Sequence, residues 1–359
     1  MRIALLSYST KPRGGVVHTL YLAEALAAAG AEVIVWSLAR GGDEGFFRAV
    51  DPRVRVSLVP FPDQPGEGVG ARILRSIAVL RDAFDGSRYD IVHAQDCISA
   101  NAAGRCIRTV HHLDHFTTPE LAACHERAIV EPYAQVCVST AVAGELLAGW
   151  GLKATVIPNG VDAARFTAAA SGDPAATARR DRWRRQLGRY LLTVGGIEPR
   201  KGSLDLLDAY AHLRSRDGAL ALVVAGGETL FDYRDYRAAW DERAGQLGVE
   251  PVVLGTVADA ELPSLVAGAE VFAFPSAKEG FGLAPLEALA AGVPLVVSDL
   301  PVFHEIFGDA ATYATGPAAL AEALRTPDRT RIELGRKVAD SYTWSAAAAA
   351  HLELYSRLG

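Results

Sequence analysis

The chain runs to 359 residues, half of them apolar, with 36 Lys and Arg against 42 Asp and Glu and a formal net charge of −6. That length exceeds one ordinary domain and supplies enough apolar residues for two cores, while the near balance of charge excludes the broad basic field of a nucleic-acid binder. Cys97, Cys106, Cys124 and Cys137 show neither CxxC nor metal-type spacing, which predicts reduced thiols in a cytoplasmic protein. The opening "MRIALLSYS" holds too short an apolar run for a signal peptide and no stretch approaches a membrane span, so only peripheral membrane contact stays open.

One rhythm repeats along the chain: a short apolar run, a Gly-rich or polar turn, then a segment of helical period. "RIALLSY" leads into "GGVVHTLYLAEALAAAG", where Leu20, Leu22, Ala23 and Leu26 make one apolar stripe; "AEVIVWSL", "VRVSLVPF", "DIVHA", "RTVHH", "AQVCVST" and "KATVIPNGVD" follow. The stretch from about 164 to 187 breaks the rhythm, being Ala/Gly/Ser/Asp-rich and then Arg-dense, as expected of a linker and an entry helix. It restarts with "YLLTVGG", "LALVVAGG", "PVVLGTV", "VFAFPS" and "PLVVSD". Strands alternating with helices predict parallel sheets covered on both faces. The expected fold is α/β, with two Rossmann-like doubly wound domains facing across a cleft. The first spans 1–162 with a helix at about 342–359 returning to it, and the second spans 163–341. Ligands then belong at the carboxyl ends of the strands.

Four loop-to-helix junctions carry candidate chemistry. Gly14 and Gly15 follow the first strand; they read as a tight turn or as a place where amides approach a phosphate. In "VGGIEPRKGSLDLL", Ser203 is expected to cap the next helix, and Lys201 stands where a cation can meet a pyrophosphate, although a surface lysine is an even alternative. Gly226 and Gly227 end a third strand, beside Glu228. In "SAKEGFGLAPLEALAAGVP", Glu279 is placed in a glycine loop and Glu287 in the first turn of a helix expected from Pro285 onward. Two carboxylates flanking helix-start amides make sense if each accepts hydroxyl hydrogen bonds while the amides take a phosphate. "RTVHHLDHF" sets His111, His112, Asp114 and His115 past a strand. No HExxH spacing or DxD supports a metal, and a cleft-facing histidine fits His111 better, a core histidine being the other reading. No GxSxG, P-loop or reactive-cysteine signature occurs, and the basic run 179–189 reads as a solvated helix face.

At these residues the chain resembles the retaining glycosyltransferases of family 4 (glycosyl transferases group 1), which have the GT-B fold. The resemblance covers nearly the whole chain and is most specific over 254–305, with "VIPNGVD" at 156–162 as the join between domains. It implies that Glu287 holds the nucleotide ribose and Glu279 contacts the donor sugar. By the same resemblance, amides of Gly280, Phe281, Gly282 and Leu283 reach sugar and diphosphate, and Lys201 binds the diphosphate. Gly15, Gly227 and Val257 would lie against the donor, and His111 would bond the transferred sugar. The family often has an arginine where this chain has Gly196, leaving Lys201 and Arg200 to carry the charge. Asp114, His115 and Glu126 fall on the acceptor side.

The resemblance implies transfer of a hexose from a nucleotide sugar to an acceptor hydroxyl of a sugar, lipid or small metabolite. The anomeric configuration would be retained, with attack on the face the diphosphate leaves and no metal or other cofactor. Competing readings are a nucleotide-sugar epimerase or phosphorylase of the same fold and a non-catalytic nucleotide-sugar-binding protein; a dehydrogenase is disfavoured by the missing GxGxxG. Base, sugar, acceptor and oligomeric state are not legible.

Overall fold

The computed structural model describes residues 1–113, 119–215, 218–227 and 233–358. The chain divides into two compact units, Met1–Gly160 with Thr343–Gly359, and Val161–Tyr342. Each is built on its own all-parallel sheet.

In the first unit the strands are β1 (Arg2–Leu6), β2 (Glu32–Arg40), β3 (Arg55–Phe61), β4 (Ile91–Ala94), β5 (Ile107–Val110), β6 (Ala134–Cys137) and β7 (Thr155–Val156). Their order is β3-β2-β1-β4-β5-β6-β7, every pair parallel. Ile3, Leu5, Leu6, Val35, Leu38 and Ile107 are almost completely buried, as strands covered on both faces require. The helix Gly14–Ala28 turns its Leu20, Leu22, Ala23 and Leu26 inward. The last helix, Trp344–Leu358, packs on it: Tyr21 stacks on Trp344, and the Tyr355 hydroxyl lies 2.7 Å from His93 Nδ1 inside β4.

The second unit has β8 (Arg189–Val194), β9 (Leu220–Ala225), β10 (Val252–Gly255), β11 (Val271–Phe274), β12 (Leu295–Ser298) and β13 (Thr312–Ala314), in the order β10-β9-β8-β11-β12-β13. Its core joins Leu191, Leu207, Tyr210, Leu222, Val271 and Trp240. In both units the strand order reverses beside the first strand, between β1 and β4 and between β8 and β11. Loops leaving those neighbours part to opposite faces and leave a crevice at the carboxyl edge.

Several local expectations change. The expected entry helix is Pro174–Leu187, and the expected linker before it also holds a helix, Ala163–Ala170. Asp173 accepts the amides of Ala175 and Ala176 at 2.9 and 3.1 Å, and Pro174 sits in the first turn, so capping outweighs the loop-like composition. Ser203 is the first residue of helix Ser203–Arg214 and not its cap; Gly202 takes the cap position in a left-handed conformation, φ 62°. The four cysteines are free thiols, three of them buried. Among the described residues no helix is long and apolar enough to cross a membrane.

Candidate active site

The loops that leave β8 and β11 meet at the reversal point of the second unit. The β8 loop closes in a short 3-10 turn, Pro199–Lys201, and passes through Gly202 into its helix. A Cβ at Gly202 would collide with the Pro275 carbonyl oxygen, so the positive φ and the missing side chain together let the two loops touch. Ala277 N donates to Arg200 O at 2.8 Å and fixes their register.

Three donors converge on one oxygen across this seam. Glu279 Oε1 accepts from Lys201 Nζ at 2.5 Å, Arg200 Nη1 at 2.8 Å and Ser276 Oγ at 3.1 Å. Arg200 Nη2 also donates to Glu198 Oε1 at 3.0 Å. Lys201 lies 4.4 Å from the centre of the Phe274 ring. Burial pulls its ammonium pKa below the ordinary lysine value; Glu279 opposes this and Arg200 adds to it. Thr193, Gly195, Gly196, Ile197, Lys201 and Ser203 line a small hollow beside the pair. Gly196 stands where the resembled family often has an arginine, and Arg200, in the same turn as Lys201, brings a second cation to Glu279.

Helix Leu283–Ala290 begins one residue after Gly282, whose φ is 107°. It therefore starts earlier than the position of Pro285 suggested, and Glu287 stands in its second turn. Glu287 keeps a partly accessible edge, yet loss of water pushes its carboxyl pKa up to about 8. Asp259 and Asp162 add to the rise and Arg165 counters it. Arg165 itself is held by Asp259, Nη2 to Oδ2 at 2.8 Å. At neutral pH Glu287 is thus largely protonated, a group that both donates and accepts. Phe281 is buried against Tyr342, ring centres 5.4 Å apart, which pins the loop before the helix; Gly280 and Gly282 are buried beside it. Gly227 follows β9 and Val257 follows β10, at the same carboxyl edge. A Cβ at Gly227 would strike Thr256 Oγ1, so these two loops also touch.

Gly15 and His111 lie together in the first unit. A Cβ on Gly15 would stand 3.6 Å from both Cδ2 and Nε2 of His111, so the glycine leaves the ring flush against the helix start. His111 packs edge-on to His18, centres 4.7 Å apart; His18 Nδ1 is 2.8 Å from Asn159 Oδ1 in the join motif. His18 also meets Trp344 and His351, and His351 meets His93, giving a continuous group of four histidine rings drawn from distant segments. Burial holds His111 and His93 well below the usual imidazole range, His18 down to about 3 and His351 to about 4. All four are neutral at pH 7. Sequence reading singled out His111 alone; the other three are spread over 333 positions with no local signal. Glu126 is taken by Trp150, Nε1 to Oε2 at 2.8 Å. Asp114, His115 and Glu228 lie outside the described residues. Among the described residues no three His, Cys, Asp or Glu side chains gather as a metal set.

Residues 12–165 match the model of Glycosyltransferase Family 4 and residues 178–326 that of Glycosyl transferases group 1. Over 99% of the chain, the sequence is 30% identical to the D-inositol 3-phosphate glycosyltransferase of Pseudarthrobacter chlorophenolicus, covering 94% of that protein. The chain is a family 4 glycosyltransferase. It is also 29% identical to the phosphatidyl-myo-inositol mannosyltransferase of Mycolicibacterium smegmatis, covering 99% of this glycosyltransferase and 93% of the relative. Two solved structures share the GT-B fold at 20% identity. Anabaena HepE in complex with UDP and glucose matches with a TM-score of 0.75, covering 99% of each chain. Sucrose-phosphate synthase from Thermosynechococcus elongatus matches with a TM-score of 0.78, covering 99% and 98%.

Proposed function

We propose that this glycosyltransferase moves a hexose from a nucleotide sugar to an acceptor hydroxyl with retention of anomeric configuration and without a metal. The observation that carries the reading is the convergence of Lys201 and Arg200 on Glu279, beside a glycine-started helix that bears Glu287. Glu287 suits a ribose diol, since a carboxyl that can shed its proton accepts hydroxyl hydrogen bonds. Lys201 and Arg200 suit a diphosphate, whose charge can replace that of Glu279 as their partner. The second unit then takes the donor and the first the acceptor, with His111 a neutral hydrogen-bonding group toward the transferred sugar.

In the proposed reaction the bond from the anomeric carbon to the diphosphate oxygen breaks. The acceptor oxygen bonds to that carbon on the same face, and its proton passes to the departing diphosphate. Cations and helix-start amides stabilise the leaving charge, so most of the acceleration is positioning and electrostatics. The names of the relatives favour a mannosyl or related hexosyl donor and an inositol-containing acceptor.

The deciding experiment measures calorimetric binding of UDP, GDP, ADP and their glucose and mannose derivatives to the wild type and to Glu287→Ala, with and without chelator. Product from the preferred donor is then read by proton NMR at the anomeric position. Selective binding lost in the variant, followed by an axial product from an axial donor, is expected. An inverted product, or an epimerised donor formed without acceptor, rejects the reading.

A further inference from the structure

Glu198 opens the turn that carries Arg200 and Lys201, and the proposed reaction gives its carboxylate no task. Its backbone is extended, φ −148° and ψ 155°, a conformation any residue adopts. Its carbonyl closes the turn, accepting Lys201 N at 3.1 Å and Ser203 Oγ at 3.4 Å. Its side chain makes no capping bond, yet the residue is buried, 7% exposed. A carboxylate taken out of water costs stability unless a charge meets it, and a turn closed by backbone bonds and stiffened by Pro199 does not need one.

Arg200 is what meets it. Nη2 donates to Glu198 Oε1 at 3.0 Å, while Nη1 donates to Glu279 Oε1 at 2.8 Å and to the Lys278 carbonyl at 3.3 Å. The guanidinium is thus strung between the two donor loops. Among the described residues the Glu198 carboxylate bonds only to Arg200, and it acts on Lys201 and Tyr236 through space. The two arms of Arg200 therefore differ in standing. Nη1 shares with Lys201 the oxygen whose charge an incoming diphosphate would replace, and Nη2 rests on a carboxylate that no step of the reaction moves.

We propose that Glu198 is a positioning residue for the donor diphosphate: it tethers Arg200 by Nη2, so that Nη1 exchanges Glu279 for the diphosphate without the guanidinium being ordered anew. An arginine on a turn has many rotamers, and fixing it at the moment of binding costs affinity that a tether supplies in advance. The proposal rests on the reading of these loops as the diphosphate site. Two other roles for the same carboxylate have different consequences. A bare counter-charge would repel the diphosphate, so its removal would tighten binding; a structural brace would act on every ligand of the site alike.

The test compares calorimetric affinities of UDP with UMP and of GDP with GMP. The proteins are the wild type, Glu198→Ala, Glu198→Gln, Arg200→Ala and the double variant Glu198→Ala/Arg200→Ala. In the wild type the diphosphate of the preferred base is expected to outbind its monophosphate by about tenfold or more. Glu198→Ala should remove most of that preference while monophosphate affinity stays within about twofold of wild type. Arg200→Ala should remove as much, and the double variant no more than Arg200→Ala alone, because Glu198 acts through Arg200. Glu198→Gln, which keeps an oxygen for Nη2, should retain part of the preference. A preference raised or unchanged in Glu198→Ala overturns the tether. So do equal losses for monophosphate and diphosphate, and so does a loss that adds in full to that of Arg200→Ala. A wild type that binds no nucleotide would sink the donor reading and the tether with it, whereas a wild-type preference untouched by Glu198→Ala sinks the tether alone.

Discussion

Lys201 Nζ stands 2.5 Å from Glu279 Oε1, two side chains 78 residues apart whose loops are laced together by the approach of Gly202 to Pro275. The cation is held in place, partly stripped of water, by the carboxylate that the proposed reading sets against the donor sugar. A lysine so placed meets an incoming diphosphate without first being ordered.

Replacing Lys201 by Met should therefore lower kcat by about 10²–10³-fold while nucleotide-sugar KM changes far less. Glu279→Gln should cost less than this. The double variant should be little worse than Lys201→Met alone, because the two residues act as one unit. Steady-state kinetics on the four proteins checks it; strictly additive losses would show that the pair is structural.

Glu287 gives a pH signature. Its carboxyl is pushed up to about 8 from 4.5, mainly by burial, so the folded protein keeps a proton that the unfolded chain releases. Folding stability on this account falls as pH rises from about 4.5 through 8 and levels off above it. Glu287→Gln should remove that fall, gaining about 1–3 kcal/mol over wild type at pH 9 and little at pH 5. Ribose hydroxyls that donate to the carboxylate favour its ionised form, so nucleotide binding at pH 7 should release protons. Calorimetry in buffers of different ionisation enthalpy would detect that release in the wild type and find none in Glu287→Gln. Equal proton release in both would move the effect to another group.

The two sheets and the Glu279–Glu287 stretch were legible because their signals are local: apolar strands, paired glycines, and a proline near a helix start. What was not legible depends on partners brought in by the fold. β13 is three residues long and gains its place only by pairing with β12. Ser203 has a capping side chain, but the close approach of Gly202 to Pro275 sets the chain direction and leaves serine inside the helix. Arg200 looked secondary to Lys201 until both were seen on the same oxygen. The ring contacts of His18, His93, His111 and His351 join a helix, the inside of β4, the residue after β5 and the last helix, and no spacing along the chain encodes them.

That histidine group predicts acid sensitivity. An imidazole whose folded value lies below 6.5 stays neutral where the unfolded chain takes up a proton. Stability is then full above about pH 6.5 and is lost progressively as pH falls below it. With all four rings depressed, each should cost about 1–2 kcal/mol at pH 5 relative to pH 7.5. Urea unfolding at both values measures the difference, and His351→Gln should shrink it by one ring's share whatever it does to stability at pH 7.5. A wild type equally stable at both values would mean that the rings are already hydrated.

Gly202 and Gly248 separate backbone strain from close approach. Both are left-handed, φ 62° and 65°, and both cap helix ends, but nothing stands within 4 Å of a Cβ on Gly248 whereas one on Gly202 meets the Pro275 carbonyl. Gly248→Ala should cost only the left-handed penalty, about 1 kcal/mol, and leave nucleotide binding alone. Gly202→Ala must also push the β8 loop off the β11 loop. It should cost about 3 kcal/mol or more and weaken nucleotide binding beyond that, since the turn it displaces carries Arg200 and Lys201. Urea unfolding and nucleotide calorimetry on the two variants decide it. Equal losses in both would mean that the seam between the loops yields easily and does not fix the position of Lys201.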